Sequence, residues 1–82
     1  MFKATVIITL RPSILDPKGK ACHHALNQLG LSSVSSVRMG KMIEMNIETT
    51  NESEAYKIAK DACDKLLANN VMEDYVITLD KL

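Results

Sequence analysis

Ala62–Tyr75 reads ACDKLLANNVMEDY, and it carries the end of one element directly into the start of the next. Cys63, Leu66 and Leu67 fall on helical spacing, and Asn69-Asn70 is expected to supply the left-handed residue that ends a helix. Val71 then opens an extended segment. Almost no linker separates the two elements, and no residue in the stretch is arranged to do chemistry. The pattern is one of packing and assembly.

Upstream of this stretch, Asn51 and Glu54 form a capping-box pattern, with an acceptor at the N-cap and a carboxylate three residues on. Ala55, Ile58, Ala59, Ala62, Cys63, Leu66 and Leu67 then make one apolar helical face. Downstream, residues 71–79 read as the last strand. At the other end of the chain, Phe2, Ala4, Val6, Ile8 and Leu10 alternate with Lys3, Thr5, Ile7 and Thr9. That period of two predicts a strand with one face in the core. Arg11-Pro12-Ser13 ends it, because proline cannot continue a ladder.

Asp16-Pro17 reads as an N-cap and a first helical residue, and Gly30 stands where a helix-ending glycine belongs. Between them Cys22, Ala25, Leu26 and Leu29 share one face. Gly19 costs roughly 1 kcal/mol against alanine in a helix interior. Either a close backbone approach by a partner or a loose first turn would account for it. Val37, Met39, Ile43, Met45 and Ile47 keep one period-two phase across Gly40-Lys41. A two-residue hairpin at Gly40-Lys41 fits, but one long strand bent at Gly40 fits better, and it would offer an edge to another subunit. The expected fold is α+β: a single domain over residues 1–82, a small two-layer β-α-β-α-β sandwich related to ferredoxin-like folds, with a long bent middle strand.

Composition points the same way. In 82 residues, 46% are hydrophobic and 4% aromatic, with five methionines. A chain this short buries roughly 60% of its unfolded surface, so its own core is thin and burial against partners is favoured. No apolar run reaches the ~18 residues of a membrane span, and the N-terminus lacks a signal-peptide layout. Two cysteines are too few for a disulfide framework and fit reduced thiols in the cytoplasm. The net charge of zero conceals a split. Residues 1–41 carry six cations against Asp16 alone, and residues 42–82 carry four cations against nine acids. Either both sets are solvated surface, or basic and acidic faces meet between copies or with a larger partner. Phe2 is the lone aromatic of the basic half and no nucleic-acid-binding pattern accompanies it.

Catalytic, cofactor and metal residues are not expected. His23 and His24 beside Cys22 are the one cluster of metal-ligand types, but adjacent helical residues point about 100° apart and a third ligand is missing. Cys22 and Cys63 sit on apolar helical faces as structural thiols, without the base a nucleophile needs. Glu44 and Glu48 read as a solvated strand face. Phosphate-loop and nucleophile-elbow patterns do not occur.

Three segments in register resemble one family. They are ILDPKGKACHHALNQLG (Ile14–Gly30), VSSVRMGKMIEMNI (Val34–Ile47) and ACDKLLANNVMEDYVI (Ala62–Ile77). Together they resemble the PurS subunits of bacterial and archaeal phosphoribosylformylglycinamidine synthase, with its LDP-x-G, VR-x-GK and C-x-KLLAN signatures in order over nearly the whole chain. Asn70 stands where that family usually has proline, and Arg11-Pro12 replaces a more ordinary turn. The resemblance implies a non-catalytic subunit of an ATP-dependent carbon–nitrogen ligase with glutamine as amide donor. Such a subunit bridges a small synthetase subunit, which binds ATP and formylglycinamide ribonucleotide, to a glutaminase subunit. It also implies a homodimer or tetramer, with no cofactor on this chain, no nucleic acid and no membrane. The matching residues Asp16, Gly19, Arg38, Gly40 and Lys41 are the candidate interface. A ligand-binding regulator of the ACT type is the alternative, but it would want a glycine-bearing βα loop at a subunit interface, and Pro12 to Gly19 offers one glycine.

Overall fold

The computed structural model describes residues 1–82. Its alternating N-terminal segment forms β1 (Phe2–Leu10), the central strand of an antiparallel sheet in the order β2-β1-β3. The other elements are α1 (Pro17–Gln28), β2 (Gly40–Ile47), α2 (Glu52–Ala62) and β3 (Glu73–Lys81). β1 pairs with β2 from Phe2↔Ile47 to Thr9↔Gly40, and with β3 from Phe2↔Lys81 to Leu10↔Glu73. This is the α+β, β-α-β-α-β arrangement expected from the sequence.

The inward residues of β1 form the centre of the core: Phe2, Ala4, Val6 and Ile8 are all buried. α2 covers them with Ala55, Ala59 and Cys63, small side chains that let the helix sit close to the sheet. Burying an aliphatic side chain as fully as Ile8 or Val6 stabilises by about 1.5–3 kcal/mol. After Ala62 the helix loosens into one π-helical turn, Cys63–Leu67, closed by the Ala68 N–H donating to the Cys63 carbonyl at 3.0 Å. The extra residue in that turn moves the buried line from Cys63 to Ala68 and leaves Leu66 82% exposed. Leu66 was expected in the core on an unbroken helical period.

Three other expectations are corrected. First, β2 starts at Gly40, so the strand expected over 37–47 is shorter, and it pairs with β1 one residue to one without a bulge. β1's ladder with β2 ends at Thr9↔Gly40, because the Met39 N–H donates to Asp16 Oδ2 instead of to a ladder partner and β1 itself stops at Leu10. The hairpin alternative fails too, since Gly40 and Lys41 both stand inside the ladder. Second, β3 begins two residues later than Val71, because the Met72 and Glu73 N–H groups both donate to the Asn69 carbonyl in a turn. Third, neither asparagine is left-handed. They end the helix through side chains: Asn69 Oδ1 accepts from the Val71 N–H, and Asn70 Nδ2 donates to the Asp64 carbonyl.

α1 departs most from the expected sandwich. It lies off the sheet, leaving α2 as the helix packed there. The molecule measures 50 × 27 × 14 Å, with a radius of gyration of 16.2 Å. A compact chain of this length would have about 12 Å. Cys22 and Leu26 are only half-buried and Leu29 is 76% exposed. The helix ends at Gly30 (φ 86°), with the Leu31 N–H donating to the Leu26 carbonyl and the Gly30 N–H to that of Asn27. His23 Nε2 donates to the Val34 carbonyl at 2.8 Å, folding residues 31–34 back along the helix to make an arm.

Candidate functional site

Asp16, Gly19, Arg38, Gly40 and Lys41 come together where the arm joins the sheet. Asp16 is 5% exposed and is the N-cap of α1. One carboxylate oxygen accepts from the Gly19 N–H at 3.0 Å and the other from the Met39 N–H at 2.6 Å. One side chain thus ties the start of the helix to the segment that returns to β2. The Met39 and Gly19 bonds hold the Asp16 carboxyl below the usual carboxylate range, since they favour its ionised form.

Gly19 is explained by this chain's own backbone. A Cβ there would stand 2.5 Å from the Val37 carbonyl oxygen and 2.6 Å from Asp16 Oδ2. Gly40 is set the same way, with its missing Cβ 2.7 Å from the Ile8 carbonyl oxygen. The Arg38 guanidinium donates to the Arg11 and Ile14 carbonyls, both at 2.9 Å, and so closes the 11–14 turn. Four of the five residues therefore build one latch. Lys41 differs: it is half exposed and reaches Glu73 across 3.9 Å.

Below the latch lies an open cleft of about 430 Å³, lined in part by Ile8, Leu10, Asp16, Lys18, Lys41 and Glu73. Of its carboxylates, Asp16 is committed to two backbone donors and Glu73 accepts from the Asn69 N–H at 2.8 Å. The chain has no group of three His, Cys, Asp or Glu side chains placed to hold a metal ion. No helix is long and apolar enough to cross a membrane.

Two constellations were not singled out in the sequence. Arg11 donates to the Asn70 carbonyl at 2.6 Å and pairs with Asp74 at 3.2 Å, so Arg38, Arg11 and the start of β3 form one chain of contacts. On the surface, Asp64 accepts from Tyr75 Oη at 2.8 Å and from Lys60 Nζ at 3.0 Å. These bonds raise the Lys60 and Tyr75 pKa values and lower that of Asp64. The i,i+4 spacing of Lys60 and Asp64 was the available signal. Burial pushes the Cys63 thiol up, away from the thiolate a nucleophile needs.

Residues 3–81 match the family model PurS, described as phosphoribosylformylglycinamidine (FGAM) synthase. A phosphoribosylformylglycinamidine synthase subunit PurS of Synechocystis is 43% identical over 81 residues, covering 99% of this chain and 81% of the relative. The crystal structure of Methanocaldococcus jannaschii PurS superimposes with a TM-score of 0.91 at 43% identity, covering 100% of this chain and 99% of that one. A chain of the Thermotoga maritima PurLQS structure gives 0.86 at 31% identity, over 98% and 99% respectively.

Proposed function

This chain belongs to the PurS family of phosphoribosylformylglycinamidine synthase subunits, and on that premise we propose that it is the non-catalytic bridge of such a synthase in de novo purine biosynthesis. It joins a small synthetase subunit, where ATP and formylglycinamide ribonucleotide bind, to a glutaminase subunit that releases ammonia. The assembled complex is an ATP-dependent carbon–nitrogen ligase that works in the cytoplasm.

The observation that carries this reading is the likeness over 98% of the chain to a component of the Thermotoga maritima PurLQS assembly. The geometry supports a bridging role. The chain exposes 5883 Å², where a compact monomer of 9.1 kDa would expose about 4,900 Å². The excess is of the size one partner buries in a standard interface, about 800 Å². The Asp16–Gly19–Arg38–Gly40 latch fixes the direction of the arm, so its role in assembly is positional, while Lys18 is unpaired and Lys41, in a long exposed pair with Glu73, can turn to meet a partner. The chain also self-associates as a homodimer or tetramer, for which the free edge of β2 is available. A small-ligand regulator is less well supported, because the largest cleft is open and its carboxylates are already bonded within the chain.

Co-purification from native extract tests the bridge. Capture of this chain should bring down a synthetase and a glutaminase together. Recovery of the chain with neither of them would contradict the proposal.

A further inference from the structure

The cleft at the base of the arm lies on the same sheet face as α2, yet no residue of α2 or of the π-helical turn lines it. Cross-strand pairing sets Lys41 beside Ile8 and Glu73 beside Leu10 on that face. The helical cover reaches Val6 and Ile8 through Cys63 and Ala68 and goes no further along β1. Beyond it the cleft of about 430 Å³ has Ile8, Leu10 and Met39 as its apolar lining, with Lys18 on the α1 side. Met39 is 45% exposed and Leu10 half-buried, so this apolar floor meets solvent.

The charges around the floor divide into bonded acids and available cations. Asp16 is held by the Gly19 and Met39 N–H groups, and Glu73 accepts from the Asn69 N–H and faces Lys41. Lys18 is in no ion pair, and neither is Lys20. Across the latch and the cleft, Arg11, Lys18, Lys20, Arg38 and Lys41 stand against three acids, Asp16, Glu73 and Asp74. Both cleft lysines spring from fixed backbone. Lys18 follows directly on the capped start of α1, and Lys41 is inside the β2 ladder. Little backbone freedom is therefore lost when a partner meets them.

No buried side-chain donor or acceptor is left unpaired to orient a small molecule. An apolar floor with charged groups at its rim is instead the layout that receives one anchoring side chain of a protein partner. The surplus of cations makes that partner acidic. We propose that the cleft docks an acidic segment of a larger synthase subunit. An apolar side chain of the segment packs on Ile8, Leu10 and Met39, and its neighbouring carboxylates meet Lys18 and Lys41. The proposal rests on the bridging role given above and names the surface that performs part of it.

The test uses the synthase reconstituted from purified synthetase, glutaminase and this chain. It reads the concentration of this chain that gives half-maximal glutamine-dependent turnover. Wild type is compared with the double variant Lys18→Glu/Lys41→Glu, with circular dichroism as the check of fold. Lys18→Gln/Lys41→Gln takes its place if the reversed charges unfold the chain. At roughly tenfold for each lysine, the half-maximal concentration should rise about 100-fold for the double variant. Raising the salt should weaken wild type steeply and the variant little. Sedimentation of the chain by itself should be the same for both. Equal half-maximal concentrations would overturn the docking cleft while the bridging role stands. A double variant whose own association is weakened would also overturn it, by making the cleft a contact between copies. Glutamine-dependent turnover that needs no wild-type chain would overturn the bridging role, and the docking cleft with it.

Discussion

Gly19→Ala decides between two opposite physical expectations. On helix propensity alone, alanine at an interior position of α1 stabilises by about 1 kcal/mol, and loss of unfolded-state freedom works in the same direction. The structure reverses the sign. The new Cβ would meet the Val37 carbonyl oxygen at 2.5 Å and Asp16 Oδ2 at 2.6 Å, against about 3.5 Å for an ordinary contact. Neither neighbour can swing away, since one is backbone and the other is held by the Gly19 and Met39 N–H groups. The helix must move by about 1 Å from the 37–39 segment, which loosens both Asp16 bonds. Overpacking of this kind costs about 1–3 kcal/mol and the loosened hydrogen bonds about 1 kcal/mol more, so after the helix-propensity gain the net effect is a loss of about 1–3 kcal/mol. With a urea slope near 1 kcal/mol/M for a chain this small, the midpoint should fall by about 1–3 M at fixed protein concentration. Amide exchange in residues 17–29 should quicken. A midpoint at or above the wild-type value would refute the close approach.

Three further outcomes are expected. Ionised Asp16 is favoured in the folded chain, so its contribution is complete above the unfolded value of 3.8 and is lost as pH falls through the lower folded value; the stability gap between wild type and Asp16→Asn should be flat from pH 7 to 5 and shrink in acid, and a gap unchanged down to pH 2 would count against the latch. Lys41→Ala should leave the fold intact, because its pair with Glu73 is long and exposed. It should nonetheless weaken assembly with the larger subunits about tenfold, and unchanged affinity would return Lys41 to the solvated surface. At pH 8 one thiol per chain should react promptly with a thiol reagent, namely the half-buried Cys22, while Cys63 waits for unfolding; equal rates would contradict the buried position of Cys63.

Local chemistry was legible wherever it acts through the backbone of a few residues. The alternation of Phe2–Leu10 is the central strand, Asp16-Pro17 starts α1, Asn51 caps α2 through the Glu54 N–H at 3.2 Å, and Gly30 ends α1. What failed depended on distant partners. Val37 and Met39 keep the strand phase, but the Met39 N–H is taken by Asp16 and β1 ends before it reaches Val37. Cys22, Ala25, Leu26 and Leu29 have the pattern of a core-facing helix, and that pattern does not say whose core. The π-helical turn after Ala62 is invisible to a fixed 100° period, which is why Leu66 was misplaced and Ala68 missed. Of the candidate site, the residues themselves were found in the motifs, but not their arrangement. That Asp16 bonds Gly19 and Met39, Arg38 bonds the Arg11 and Ile14 carbonyls, and Gly40 packs on Ile8 is a property of the junction between α1, β1 and β2.

The bridging role is tested most directly by reconstitution. Purified synthetase and glutaminase subunits are assayed for glutamine-dependent formylglycinamidine ribonucleotide synthesis with and without this chain, and this chain is assayed by itself. The account predicts no turnover by the chain alone and glutamine-dependent turnover that requires its addition. Full glutamine-dependent turnover in its absence, or synthesis by the isolated chain, would contradict it.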